Sequence, residues 1–351
     1  MENLQNNKLS SECLEDQLIY EDYRDKVKRG IIDINEQILL KNDDMCIMML
    51  HWAVLMTDEE FIDYLLVNKV DIDAQINFLK GTALMVAVRD KKFDIVKKLI
   101  NGGADVNALG MPTINRYNVP RMTPLAIAVE NEDFCTAELL IDSGAKFYMV
   151  PKTDLTWTAL TVAIFRQNER MVKLLLKNED EIESKEEKEF LTSYIYQAIK
   201  NGTDEIVKII WPYYPRGSAL WIDYVNQIPR ILVEKNSTEL LKYFLNNYDF
   251  DINVATKRYR WSRSTNFYNH SMLHTAVEEN SNETMVKYLL DAGIDVNIGP
   301  GTPAIECSEP SYGDPPNRVV PMIKEHLVKM IACNYAVSEI NLQNINLRMI
   351  L

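Results

Sequence analysis

No run of 18 consecutive apolar residues occurs anywhere in the 351-residue chain, and its start, Met1-Glu2-Asn3-Leu4-Gln5-Asn6, lacks a basic stretch followed by an apolar core. Neither a membrane-spanning helix nor a secretion signal is therefore expected. Basic residues are also short: 38 Lys and Arg against 51 Asp and Glu leave a net charge of −13. That balance disfavours broad nucleic-acid binding, which needs a basic face. The cysteines, Cys13, Cys46, Cys135, Cys307 and Cys333, are odd in number and scattered. They do not suggest a disulfide framework, so a reducing intracellular setting is expected, cytoplasmic with access to the nucleus. Cys135 lies in a helical segment and is expected to be a small buried residue.

Catalytic signatures are missing as well. The chain has no Gly-x-x-x-x-Gly-Lys-Ser/Thr, His-Glu-x-x-His, Gly-x-Ser-x-Gly or Cys-x-x-Cys. Its four histidines are His51, His270, His274 and His326. His270 and His274 are spaced i, i+4, but a loop-to-helix boundary is expected between them and no third ligand is evident, so no metal site is assigned. The run Glu179–Glu189 mixes Glu and Lys at spacings that support a solvated helix start, and it lacks the spaced ligands and turn glycine of a calcium loop. No enzymatic activity and no cofactor are expected.

What the chain has is a repeat. It is clearest from Gly81-Thr82-Ala83-Leu84 to Gly103-Ala104-Asp105-Val106-Asn107, and from Leu273-His274-Thr275-Ala276 to Gly293-Ile294-Asp295-Val296-Asn297. Aligning the Leu position gives Leu50, Leu84, Leu125, Leu160, Ile195, Arg230 and Leu273, with steps of 34, 41, 35, 35, 35 and 43. Small Ala53, Ala87, Ala128, Ala163, Ala198 and Ala276 recur three positions later and let a first helix lie close to its neighbours. Second helices such as Ile95-Val96-x-x-Leu99-Ile100 and Met285-Val286-x-x-Leu289-Leu290 carry an apolar stripe for the next repeat to bury. Gly103, Gly144 and Gly293 then fall where a left-handed helix cap favours a residue without a Cβ.

The period and the letters around Leu50-His51 and Leu273-His274, with the closing Asp-hydrophobic-Asn, resemble the ankyrin family over about residues 45–300. The resemblance implies an all-α solenoid of about seven helix-turn-helix repeats with finger loops and atypical capping units, acting by protein–protein recognition. It also implies that His51 and His274 link neighbouring turns by hydrogen bonds. Residues 1–45 read as an N-terminal helical cap and partial repeat, with helix over 10–29, then 46–300 as repeats and 301–351 as a C-terminal cap.

Both long steps place their excess between repeats, where insertions map to one face and often to the binding face. The first insertion contains Arg116, Tyr117 and Arg121. The second contains Lys257, Arg258, Tyr259, Arg260, Trp261, Arg263, Phe267 and Tyr268, with no acidic residue between Asp251 and Glu278. Arg, Trp and Tyr are enriched at binding hot spots, and an acidic or phosphorylated protein surface would complement them. A competing reading has these side chains stacking on one another or pairing with acidic groups of the same protein.

At the C-terminal end, Pro321 opens a helix whose Ile323, Leu327, Met330 and Ile331 share one face, suited to cap the last repeat. Residues 321–330 and 334–339 also resemble the start of the PRANC segment that follows ankyrin repeats in poxviral, bacterial and insect proteins. That resemblance implies a host-directed effector whose F-box-like end recruits a Skp-type adaptor of a cullin ubiquitin ligase. A sequestering protein similar to the ankyrin inhibitors of NF-kappa-B is the alternative. Asn107, Asn253 and Asn297 have spacing similar to asparaginyl hydroxylation sites of ankyrin proteins, with local turn stabilisation as the simpler role.

Overall fold

A computed structural model describes residues 17–40, 45–75, 81–110, 121–147, 156–177, 194–213, 228–248, 250, 252–253, 256–259, 267–279, 283–295, 321–326 and 328–329. The chain forms two compact units, Met1–Phe190 and Leu191–Leu351.

Unit one opens with helix α1 (residues 17–28) and an antiparallel pair, β1 (Gln37–Leu40) and β2 (Met45–Met48). Helix pairs follow: α2 (Met49–Met56) with α3 (Glu59–Val67), α4 (Ala83–Arg89) with α5 (Phe93–Asn101), α6 (Pro124–Glu130) with α7 (Phe134–Asp142), and α8 (Ala159–Phe165) with α9 (Glu169–Leu175). Helices of seven to nine residues are too short to persist alone, so packing must hold them. The first helices are buried all round: six consecutive residues are buried in α4 (83–88), α6 (124–129) and α8 (159–164). Ala87, Ala128 and Ala163 have no exposed surface, and α6 packs directly on α4 and α8.

The second helices bury only a stripe, as Ile95, Val96 and Leu99 show in α5. The stripe is narrower than its sequence pattern, because Ile100 is half-buried. In unit two, by contrast, Met285, Val286, Leu289 and Leu290 are all buried.

Caps and turns repeat along with the helices. Thr82, Thr123 and Thr158 each accept a hydrogen bond from the backbone N–H three residues on, starting α4, α6 and α8. Asp58, Asp133 and Asn168 do the same for α3, α7 and α9. Between the two helices of a pair, Thr57, Lys91, Glu132 and Gln167 occupy the left-handed region, each seven residues after the aligned Leu. Gly103, Gly144 and Gly293 close second helices at φ of 93°, 88° and 84°, where a Cβ would be strained.

Unit two contains a helix over residues 194–201, then Asp204–Ile210 with a 3₁₀ turn Trp211–Tyr213, the pair Ile228–Glu234 and Thr238–Asn247, hairpin strands β5 (Thr256–Tyr259) and β6 (Phe267–His270), and the pair Met272–Glu279 and Glu283–Asp291. Trp211 is buried against Phe244, Tyr248 and Phe250, with ring centroids 4.5, 5.4 and 5.9 Å away. The left-handed turn of the Ile228–Glu234 pair falls at Asn236. Counting back seven residues puts Pro229, rather than Arg230, at the aligned Leu position. Leu232, with no exposed surface, then replaces the recurrent Ala. Arg230 instead pairs with Glu234 one turn further on.

Cys135 does not behave as expected. It is exposed on α7, because the buried stripe there is Thr136, Ala137 and Leu140. The expected helix at 10–29 is present over 17–28, and Pro321 opens a helix in which Ile323 is buried. Leu327, Met330 and Ile331 lie outside the described side chains.

Candidate functional site

Side chains stitch each repeat to the next at two levels. At the outer turns, Asn or Asp oxygens accept backbone N–H bonds from the following unit: Asp71 to Asn35, Asp105 to Asp73, Lys146 to Asn107 and Asp295 to Asn253, at 2.8, 2.9, 2.8 and 2.8 Å. Asn107 adds a second bond, its Nδ2 donating to the Gly144 carbonyl at 3.1 Å. The local turn bond expected of Asn107 is supplied instead by Asp105, whose Oδ1 accepts the Asn107 N–H. The Asn107 side chain therefore bridges repeats rather than stabilising its own turn, and Asn253 bridges to Asp295; Asn297 lies outside the described residues. Asn107→Ala is expected to cost unit one about 1–2 kcal/mol, the loss of two hydrogen bonds, read as a lower urea midpoint.

At the inner turns, a side chain caps the carbonyls that end the preceding first helix. Lys92 Nζ donates to Val54 and Leu55 O at 2.7 and 2.8 Å, Asn131 Nδ2 to Val88 and Arg89 O at 3.1 Å each, and Lys235 Nζ to Gly202 O at 2.6 Å. Burial holds Lys92 and Lys235 below the ordinary lysine pKa.

His51 extends the stitching. Its Nε2 lies 3.0 Å from the Gly81 carbonyl of the next repeat, in the inter-turn role its motif implied. Its Nδ1 is buried without a partner. The reason is upstream: Met48 stands at the N-cap where the next three repeats have Thr, and it offers no hydroxyl. In the fourth pair the equivalent residues do meet, Thr158 Oγ1 and Thr161 Oγ1 being 3.0 Å apart. Burial holds His51 below the ordinary histidine pKa, against the raising effect of the Gly81 carbonyl. The unfolded chain thus binds a proton that the folded one refuses. This contribution to stability is full above about pH 6.5 and is lost as pH falls below it, by up to about 1.4 kcal/mol per unit until the folded pKa is passed. Urea midpoints at pH 7.5 and 5.5 check this, and His51→Gln should remove this share of the pH dependence.

The basic aromatic insertion is a β-hairpin at its base. β5 and β6 are antiparallel, with Thr256 opposite His270, Lys257 opposite Asn269, Arg258 opposite Tyr268 and Tyr259 opposite Phe267. Arg260, Trp261 and Arg263 lie outside the described residues. The first insertion is closed at its base by a bridge in which Gly110 and Met122 exchange backbone hydrogen bonds of 3.1 and 2.8 Å. Arg121 is exposed on β3 (Arg121–Met122), which pairs in parallel with β4 (Thr156–Trp157). Arg116 and Tyr117 lie outside the described residues.

One surface feature was not singled out from the sequence. Trp157 and Phe165 stack at 5.4 Å between centroids and 3° between planes, yet are 38% and 46% exposed. Their spacing of eight residues spans a strand end and a helix, so no helical or strand period connects them. The available signal was that Phe165 stands two residues after Ala163, where Arg89 and Glu130 stand in the two preceding pairs.

Among the described residues, no three His, Cys, Asp or Glu side chains come together as metal ligands, and no helix is long and apolar enough to cross a membrane.

The family model described as Ankyrin repeats (3 copies) matches residues 27–110, 50–149, 109–186 and 125–217, and that of a single Ankyrin repeat matches 268–298. The chain belongs to the ankyrin-repeat family, whose members mediate protein–protein interaction and are typically non-enzymatic scaffolds. No curated protein matches it.

Proposed function

We propose that this chain is a non-enzymatic scaffold that holds a partner protein through its concave face and fingers, with the insertion at 255–269 as principal anchor. The observation that carries this reading is the β5–β6 hairpin, a built insertion between repeats in a segment free of acidic residues within a chain of net charge −13. A paired base limits the conformational entropy lost when the hairpin docks. The complementary partner surface is acidic or phosphorylated.

The host-directed effector and ligase-adaptor forms of this reading are supported by the resemblance of residues 321–339 alone, and the NF-kappa-B-inhibitor-like form by the shared repeat architecture. The intracellular setting is supported by the scattered cysteines. Affinity capture with wild type beside Arg260→Glu and Trp261→Ala tests the anchor. A shared partner depleted at least about tenfold by both variants is the expected result, as for hot-spot residues. Equal retention by all three proteins sinks it.

A further inference from the structure

We infer that the contact between the first two helix pairs is an acid-sensitive joint: in mildly acidic solution the block formed by α1, β1, β2, α2 and α3 opens away from α4, while the later pairs of unit one stay closed. The joint goes beyond the scaffold reading and does not depend on which partner is held.

Its centre is the His51 imidazole, 1% exposed. A carbonyl only accepts, so Nε2, 3.0 Å from the Gly81 carbonyl, carries the ring hydrogen of the neutral form. A second proton must then go to Nδ1, which is buried without a partner. There it creates a cation whose new N–H finds no acceptor and no water. A hydroxyl at the N-cap would accept it, as Thr158 meets Thr161 three residues on, but the N-cap residue three before His51 is Met48.

No charge nearby relieves the cation. β2, α3 and α4 pack on α2, and α1 reaches its Trp52. The titratable group of β2 is Cys46, and α4 carries only Arg89, which is bonded to Asp90 at 2.8 Å. On α3, Glu59, Glu60 and Asp63 are exposed, and Tyr64 stacks on Phe61. On α1, Tyr20 and Arg24 are bonded to Asp58 and Tyr23 packs on Trp52, while Glu21, Asp22, Asp25, Lys26 and Lys28 are half-buried or exposed. Lys92, at the same joint, sits on the Val54 and Leu55 carbonyls. The influences on the His51 pKa are burial, which lowers it, and the Gly81 carbonyl, which raises it.

The bonds on either side decide what moves. Within the block, Asp58 ties α1 to the start of α3, Trp52 of α2 packs on Tyr20 and Tyr23, β2 runs directly into α2, and Asn35 accepts the Asp71 N–H. These ties hold in mild acid, because Asp58 is kept below the usual carboxylate range. Across the joint, the Lys92 bonds also persist, since acid only keeps a lysine charged. His51 is the one histidine of unit one. Further along, α6 is joined to α4 by the Asn131 amide and α8 to α6 by the Arg166–Glu130 pair, with no imidazole in either. Repeat arrays open at their weakest nearest-neighbour contact, so the loss stays at the joint that titrates.

Hydrogen exchange followed by mass spectrometry on the full chain at pH 7.5 and 5.5, corrected for the intrinsic pH dependence of exchange, tests this. The opening constant of residues 17–28 and 49–67 should rise at least about threefold and up to about tenfold at pH 5.5, one unit below the unfolded histidine pKa. Residues 124–142 and 159–175 should stay within about twofold. His51→Gln, which keeps an amide donor for Gly81 but does not titrate, should abolish the rise. Met48→Thr, which supplies the missing acceptor, should at least halve it, and decides the matter if circular dichroism shows His51→Gln to be unfolded. A rise below about threefold, equal loss of protection throughout unit one, an undiminished rise in folded His51→Gln, or an undiminished rise in Met48→Thr overturns the inference.

Discussion

Leu125→Ala is expected to lower the stability of unit one by about 3 kcal/mol, within the 2–5 kcal/mol range of buried Leu truncations. Leu125 has no exposed surface, and α6, which carries it, packs on α4, α7 and α8. A cavity there is walled by helices whose neighbouring Ala128 and Ala163 are already in full contact, so little collapse can refill it. Because a repeat array is stabilised by nearest-neighbour contacts, the damage should spread: amide exchange should accelerate in α4 and α8 as well as α6. Leu55→Ala serves as the control. Leu55 is 37% exposed at the end of α2 and should cost much less. A Leu125→Ala loss below about 1 kcal/mol in urea titration would show that the layer repacks, contrary to this account.

Asp58→Ala should be almost as costly and more local in effect. Asp58 Oδ1 caps α3 by accepting the Phe61 N–H at 3.0 Å, while Oδ2 accepts from Tyr20 OH at 2.9 Å and Arg24 Nη1 at 3.1 Å, both on α1. Desolvation alone would raise its pKa. The Phe61, Arg24 and Tyr20 hydrogen bonds outweigh that and hold it below the usual carboxylate range. Its contribution is therefore full above about pH 3.9 and lost as pH falls through the folded value.

Losing the cap costs about 1 kcal/mol, and losing the charged hydrogen bonds about 1–2 more after allowance for the partial exposure of Arg24. The Nε of Arg24 is already buried without a hydrogen bond, its carboxylate neighbour Asp25 lying 4.0 Å away, so the guanidinium tolerates little further loss. Tyr20 and Tyr23 pack on Trp52 at 5.5 and 5.9 Å, and the variant should free α1 from that cluster. Hydrogen exchange should rise over residues 17–28 while α6 and α8 keep their protection. Asp58→Asn retains a capping oxygen and should recover about 1 kcal/mol. If α1 stays protected in Asp58→Ala, the aromatic contacts alone hold it.

How far such features can be read ahead of the fold depends on their range. The helix pairs were legible because recurrent Leu, Ala and Gly report on backbone geometry and close approach within one repeat. Arg230 misled because Pro229 shifts the register by one in a repeat that has lost its Ala, and the left-handed turn at Asn236 marks the frame. Cys135 misled because its neighbours Thr136 and Ala137, both with no exposed surface, take the buried stripe of α7. Asn107 was legible as a turn residue, but its partners, Gly144 and Lys146, lie in the next repeat and are set by stacking.

The two insertions were visible as breaks in period, and the hairpin base of the second is their structural counterpart. The Trp157–Phe165 stack left no such trace. Its rings meet because β4 and α8 meet, and only the fold shows that both remain exposed.

By itself, then, the sequence determined the repeat, its helix pairs and the places where the pattern opens, because these follow from local periodicity and the steric demands of Ala and Gly. Tertiary structure alone decided which polar side chains bridge repeats, why Asp58 holds α1, and which aromatic rings remain at the surface. The first two depend on groups 30 or more residues apart being brought within hydrogen-bond distance, and the third on how β4 and α8 meet, which no local pattern specifies.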